Sequence, residues 1–505
     1  MLEHTNGRGR IMTTTGVKRV DCIFRNARLI DGLGNPSLQA DIAVADDRIV
    51  AIGGEIDQTA PIEIDARGKV VAPGFIDAHT HDDHALLTDP LMAFKVSQGV
   101  TSVITGNCGI SLGPLSTCHR PPAPIDLVAD DPEHFFPTFG AYLNALDNDP
   151  AAINAACQVG HSTLRVAAMD RLDRAASTGE IKFMRVGLEE ALDAGAIGFS
   201  TGLYYPPASA APTEEVIELA KSLGGALHTT HMRDEADGVA QSLEETFAIG
   251  RAADVPIVIS HHKCAGLKNH GRSHETLAMI DNARAGQSIG LDVYPYAASS
   301  TMLDPGRVNE VSKIIVTGSA TRPDVAGRDL DDIAAEMGCD RVEAAQQLLP
   351  AGAVFFAMDE ADVQRILAYP HTMIGSDGLP KDNHPHPRLW GTFPRVLGHY
   401  ARDTGLFSLE EAVRRMTSLP AARFGLVNRG VVRPGAFADL VLFDPDTVID
   451  RATFENPTLP AAGVELVMVN GTTIWRDGTS TGARPGRALR RQELGPLGTE
   501  TPQAQ

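Results

Sequence analysis

No run of apolar residues in this 505-residue chain is long enough to span a bilayer, so no transmembrane helix is expected. Basic residues are also in short supply. The 44 Lys and Arg face 64 Asp and Glu, a formal net charge of -20. Nucleic acids and anionic membrane surfaces both need a basic face, so neither is expected as a partner. Cysteines are few and scattered: Cys22, Cys108, Cys118, Cys157, Cys264 and Cys339, with no CxxC spacing. In a chain of this length that argues against a disulfide framework. The opening MLEHTNGRGRIMTTTG has no apolar h-region, so no secretory signal is read there. These absences fit a reduced, cytoplasmic protein. What is present, 43% hydrophobic and 21% charged residues, is the composition of a soluble globular chain with a sizeable core. Residues 1–17 are expected to be disordered.

Two segments have the texture of short strands punctuated by Gly and Asp. One spans 18–72, with CIFRNARLIDG and DIAVADDRIVAIGG. The other spans 429–485, with GVVRPGAFADLVLFDP and VELVMVNGTTIW. The expectation is a small β-sandwich domain built from both ends of the chain. Between them, residues 73–428 alternate short apolar runs with amphipathic stretches such as TEEVIELAKSLG. The runs are GFIDAHTH, TSVITGN, INAACQVGH, AIGFSTG, GALHTTHM, PIVISHH, SIGLDVYPY and TMIGSDG. That number and rhythm predict an α/β chain, a (β/α)8 TIM-like barrel, over the alternative of a doubly wound open sheet. The rhythm breaks over 297–370, between strands seven and eight. An insertion there emerges at the catalytic face of a barrel and is a candidate lid; the alternative is a merely decorative subdomain. Residues 486–505 read as a polar tail that packs loosely or stays disordered.

The chemistry-bearing residues gather at the strand ends. PGFIDAHTHDDH (73–84) places His79 and His81 two apart, on one face of a strand. Two histidines on a half-buried strand are a bland alternative, and the other strand ends decide against it. Cys108 ends strand two, His231 strand five, His261 strand six and Asp377 strand eight. Imidazole, thiolate and carboxylate all suit a zinc-like ion. Strand parity sorts the neighbours. His261 and His262 face opposite ways, and Lys263 shares the face of His261. His228, His262 and His84 read as packing or surface residues, and Asp82 and Asp83 as turn residues.

These residues resemble a family. PGFIDAHTHDDH, SQGVTSVITGNCGISLGP, VGHSTLR, STGLYYPP, THMRDE, ISHHK and IGSDG are similar to the D-aminoacylase (N-acyl-D-amino-acid deacylase) branch of the amidohydrolase superfamily, in order from about residue 20 to 475. The Cys108 segment is the more specific part of the match, because other branches bridge two metals with a lysine from strand four, and AIGFSTG has none. The resemblance implies one tight Zn2+ held by Cys108, His231 and His261. It implies a second, weaker site from His79 and His81 with Asp377, and a share for Cys108. It also implies that Tyr294, Ser300 and Arg388 hold a substrate α-carboxylate. An Arg is suited to that task by its forked donors.

The expected reaction is zinc-dependent hydrolysis of an N-acyl-D-amino acid to a carboxylate and a free D-amino acid, with Asp377 moving the proton. The D configuration is carried by the resemblance alone. Lys263 is a further candidate on the substrate side. Arg307, in TMLDPGRV, could meet a second carboxylate and favour acidic side chains; alternatively it pairs with Asp304 or points to solvent. The competing readings are another amidohydrolase reaction, on a cyclic amide or an amine, and a non-catalytic relative. The partner expected is a small molecule, and the oligomeric state is left open.

Overall fold

The computed structural model describes residues 19–500, and before them the backbone of two strands, Leu2–Asn6 and Gly9–Thr13. Those two strands form a hairpin that pairs with Arg48–Gly53; the rest of the stretch 1–17 expected to be disordered lies outside the described residues. Each of the eight apolar runs carries a parallel strand: Phe75–Asp77, Val100–Thr105, Asn154–Cys157, Gly198–Gly202, Leu227–His231, Ile257–Ile259, Ile289–Val293 and Thr372–Ile374. They are buried along almost their whole length, as parallel strands covered on both faces must be. The first three form one hydrogen-bonded run and the last five another. The runs meet where Ala78 N–H donates to Ile374 O at 3.2 Å and Ile197 N–H donates to Cys157 O at 2.9 Å. Ile76, Ile104, Ala156, Ile197, Leu227, Val258 and Met373, at or beside seven of the eight strands, share one buried cluster with Phe424 and Leu489.

The connecting helices follow from the pattern of their apolar residues. Thr178–Ala194 buries Met184, Leu188, Ala191 and Leu192, spaced to share one face. It starts at a reciprocal capping box between Ser177 and Glu180. Its stop is Gly195, whose φ of +123° suits glycine.

Strands from the two ends of the chain build a single sheet. Its order runs Arg48–Gly53, Leu38–Ala45, Cys22–Leu29, Val70–Pro73, Leu440–Phe443, Val464–Val469, Thr472–Arg476 and Thr479–Ser480. Alternation gives it two buried faces: Phe24 and Ile42 join one cluster, Ile23 and Ala43 another. The 2.8 Å bond from Asn470 Nδ2 to Asn154 Oδ1 and the 3.4 Å bond from Asn154 Nδ2 to Asp439 Oδ2, whose carboxylate also pairs with buried Arg429, fasten this sheet to the third parallel strand. After the seventh parallel strand comes an antiparallel sheet of Ser299–Met302, Ala351–Phe355 and Ile314–Ser319, with helices Leu330–Met337, Arg341–Leu348 and Glu360–Ala368. The segment expected as a loose tail is held as far as residue 500. Leu489 is buried, its N–H donating to Ala155 O at 2.8 Å. Residues 501–505 lie outside the described residues. Among the described residues no helix is long and apolar enough to cross a membrane.

Phe75 joins the two parts. Its ring stacks on Phe393 at 5.7 Å and meets Phe443 at 6.5 Å. Phe75→Ala is expected to lower stability by about 3–5 kcal/mol, read as a fall in the urea midpoint. A loss under about 1 kcal/mol would show that the stack carries little of the junction.

Candidate functional site

His79 and His81 follow the first parallel strand, Cys108 the second, His261 the sixth and Asp377 the eighth; His231 is the last residue of the fifth. Three of these turn through left-handed backbone: Cys108 at φ +53°, His261 at +36° and Asp377 at +50°. Asp and His visit that region more readily than most residues, whereas a cysteine there is uncommon. Such a conformation costs on the order of 1–3 kcal/mol and persists only where the surroundings impose it. Gly375, two residues before Asp377, is required by close approach, since a Cβ there would sit 2.6 Å from His79 Cβ.

The turns bring the side chains together. Cys108 Sγ lies 3.3 Å from both His79 Nε2 and His261 Nε2. The His231 and His261 rings stand almost perpendicular, 4.4 Å apart. Asp377 Oδ1 is 3.5 Å from His79 Nε2 and 3.2 Å from His81 Nε2. Possible ligand atoms lie within 4.8 Å of one another in three groupings: His79–Cys108–His261, His79–His81–Asp377 and His231–Glu235–His261. His79 thus stands in two groupings, beside Cys108 as well as beside His81 and Asp377.

Anionic groups draw positive charge into the site. Burial pushes the Cys108 thiol up, but the imidazoles of His79, His261 and His231 outweigh it and hold it well below its ordinary value. That favours the thiolate, the form that ligates metal. Burial alone would lower His81, yet Asp377 and Cys108 carry it to about 9. Burial holds His231 below its usual value, toward the neutral ring. Burial pushes Asp377 up, and Arg388, His261, His81 and His79 reverse that, keeping it well below the usual carboxylate range.

An enclosed cavity of about 50 Å3 adjoins the group, lined by His231, His261, Asp377, Lys263, Tyr294, Ser300 and Arg307 among others. Lys263 Nζ bonds Glu235 at 2.7 Å and His261 Nδ1 at 2.8 Å. Tyr294 OH and Ser300 Oγ are buried with no hydrogen-bond partner among the described residues. Arg388 does not line the cavity itself. It is fully buried, 2.8 Å from Asp377 Oδ2, donating to Ser300 O at 3.0 Å and lying 4.4 Å over the Tyr294 ring. Arg307 lies 5.4 Å over the Tyr204 ring and 3.3 Å from Glu310. Asp304 is instead the acceptor of Tyr204 OH at 2.9 Å. His228 and His262 face away, bonded to Thr201 and Thr276, and burial lowers them to about 3 and about 4.

Four residues important to this geometry carry no pattern in the sequence reading. Glu235 receives Lys263 and lies 3.0 Å from His261 Nδ1. Asp292 Oδ1 accepts His261 N–H at 2.9 Å and lies 3.4 Å from His79 Nδ1. Fully buried Lys95 donates to Asp77 Oδ2 and Ser376 Oγ, both at 2.7 Å, and pairs with Asp82 at 3.3 Å. Asp82, read as a turn residue, is therefore part of a buried ion network. The acidic neighbour of Lys263 was within reach in THMRDE, four residues after His231; Lys95 and Ser376 offered no signal.

A family model described as "Amidohydrolase family" matches residues 63–230 and 201–475. A D-aminoacylase of Alcaligenes xylosoxydans xylosoxydans is 55% identical over 482 residues, 95% of this chain and 99% of that one. An N-acyl-D-aspartate deacylase of the same organism is 52% identical, over 93% of this chain and 95% of that one. The crystal structure of an N-acyl-D-glutamate deacylase from Bordetella bronchiseptica, complexed with zinc and a phosphonate mimic of the tetrahedral intermediate, matches with a TM-score of 0.91 at 47% identity, over 94% of this chain and 100% of that one. The chain belongs to the amidohydrolase family, in its branch of D-aminoacylases and N-acyl-D-amino-acid deacylases.

Removing the buried cation tests the network beneath the site. Lys95→Met leaves Asp77 and Asp82 uncompensated and is expected to cost about 3–5 kcal/mol, measured by urea unfolding. An unchanged midpoint would mean that the carboxylates do not need the charge.

Proposed function

We propose that the protein hydrolyses the amide bond of N-acyl-D-amino acids, giving a carboxylate and a free D-amino acid, with zinc as its metal. The observation that carries this reading is one juxtaposition. A thiol, imidazoles and a carboxylate converge beside a cavity that also presents Lys263, Tyr294 OH and Ser300 Oγ. The D-aminoacylase and the two deacylases named above support it by their high identity over nearly the whole chain.

The donor set fits zinc, since one thiolate and several imidazoles are its preferred ligands. Cys108, His231 and His261 would hold the tight ion, and His79, His81 and Asp377 a weaker one. When bound, zinc polarises the amide carbonyl and makes water acidic enough to act as a nucleophile near neutral pH. Asp377, kept charged by Arg388 and the imidazoles, accepts the proton of the attacking water and passes it to the leaving amine. Lys263, Tyr294 and Ser300 bind the α-carboxylate, with Arg388 as the cation beneath them.

In this reading the eight strands close into a (β/α)8 barrel, which the two joining hydrogen bonds and the shared interior cluster support. Residues 73–428 form it, and 18–72 with 429–485 form the small β domain. The insertion 297–370 is its lid: Ser300, Arg307, Val311 and Phe355 come from it to the cavity wall. A cavity of about 50 Å3 is small for an N-acyl amino acid, so substrate binding requires this wall to move outward. Arg307 also lines a larger outer cleft of about 940 Å3 and favours acidic side chains in this reading.

A panel of N-acetyl-D- and N-acetyl-L-amino acids, run with zinc analysis, tests the whole. Zinc with D-selective hydrolysis is expected; no zinc and no hydrolysis would sink it. Asp377→Asn is expected to keep the tight zinc and to lose roughly a hundred- to ten-thousand-fold in kcat. A loss of only a few-fold would remove Asp377 as the proton carrier. Arg307→Leu is expected to depress turnover of N-acetyl-D-glutamate by about tenfold or more relative to N-acetyl-D-methionine. Equal losses would exclude its role in side-chain choice.

A further inference from the structure

A second cavity reaches the site at His81. It measures about 400 Å3, and His81 is its link to the reacting groups. His81 Nε2 lies 3.2 Å from Asp377 Oδ1, and Asp377 lines the enclosed cavity. The two cavities are therefore separated by the thickness of one His–Asp pair. Phe94, Leu127, Val128, Leu389 and Trp390 give the second an apolar wall, and Asp89 and Asp382 are among the polar groups that complete it. Phe94 and Trp390 meet edge to face at 6.3 Å. The cationic groups on its wall are already committed: Lys381 Nζ pairs with Asp130 at 2.6 Å and donates to Asp126 O at 2.9 Å, and His81 pairs with Asp377. A hydrocarbon therefore suits this cavity better than an anion does.

The shape of the substrate indicates what lies there. A secondary amide is planar and trans, so its acyl carbon chain and its Cα project to opposite sides of the C–N bond. Both substituents of Cα, the carboxylate and the side chain, are assigned to the enclosed cavity, at Lys263, Tyr294 and Ser300 and at Arg307. With the carbonyl at the Cys108, His231 and His261 group, the acyl chain leaves on the other side of the C–N bond, and the cavity behind His81 and Asp377 is the other space next to the reacting groups. The volume there falls within the roughly 300–1,000 Å3 of small-ligand sites.

We propose that the cavity beside His81 is the acyl subsite, and that it receives the hydrocarbon chain of N-acyl groups longer than acetyl. This rests on the deacylase reading above. It makes the enzyme a deacylase of medium-chain N-acyl-D-amino acids as well as of acetyl derivatives, with Leu127 and Val128 setting chain length. Each methylene buried against this wall should raise kcat/KM by up to about fourfold.

The test is a chain-length series, N-acetyl, N-butyryl and N-hexanoyl, on the D-amino acid whose acetyl derivative is hydrolysed fastest. The wild-type enzyme is expected to process the hexanoyl derivative with a kcat/KM at or above that of acetyl. Val128→Trp fills the cavity and is expected to lower the hexanoyl-to-acetyl ratio of kcat/KM by about tenfold or more. Leu127→Trp, at a half-buried position that tolerates bulk better, is the second variant and is expected to act in the same direction. A wild-type enzyme that rejects the hexanoyl derivative overturns the proposal, as does an unchanged ratio in whichever variants fold. Failure of the deacylase reading itself would look different, with no N-acyl-D-amino acid hydrolysed at any chain length.

Discussion

Lys95 is fully buried and donates to two groups that belong to opposite ends of the strand sequence. Asp77 ends the first parallel strand, two residues before His79; Ser376 follows the eighth, one residue before Asp377. The link is closed again by backbone. Ser376 N–H donates to Asp77 Oδ1 at 2.8 Å, and Asp377 N–H donates to His79 O at 2.8 Å. The distance between the HTH pair and the carboxylate that would serve it is thus fixed by one ammonium, with its two hydrogen bonds, and by two backbone hydrogen bonds, in a buried region. An ion pair so deep gains little net stability over an apolar replacement of similar shape. Its value is geometric, because each partner can be satisfied in only one arrangement.

The site above it is a balance of charges that none of its members could hold alone. Cys108, Glu235 and Asp377 are all buried and all lowered, each by cations within hydrogen-bond reach. The compensating groups are His79, His81, His261, Lys263 and Arg388. Glu235 separates two of these duties, since it takes the Lys263 ammonium on one side and faces His261 Nδ1 on the other. That contact fixes which imidazole nitrogen faces Cys108, as a ligating histidine needs.

Legibility in the sequence followed physical regularity. Strand-end residues were readable because apolar runs mark strands, and the first polar residue beyond each run falls on the same rim. His79, His81, Cys108, His231, His261 and Asp377 stand out this way and converge in the fold, and parity turns His228 and His262 away from them. Lys95 was invisible for the opposite reason. It lies in a four-residue helix, Ala93–Val96, entered through a left-handed Met92, and nothing periodic surrounds it. Asp82 was misread because an Asp after a strand ordinarily serves a turn; only the fold shows that Lys95 reaches it. The partner of Arg307 depended on a contact across about a hundred residues, where Tyr204 takes Asp304 and leaves the guanidinium over its own ring. The tail was judged by its polarity, yet Leu489 supplies an apolar plug to the interior cluster.

The position of Arg388 connects binding to proton transfer. It is the leading cation holding Asp377 in its charged form, and it also lies against Ser300 and Tyr294, where the α-carboxylate is assigned. A substrate α-carboxylate held at Tyr294 and Ser300, as proposed above, would place a second anion near the cation on which Asp377 depends. Binding and the charge of the proton carrier would then be coupled through a single buried arginine.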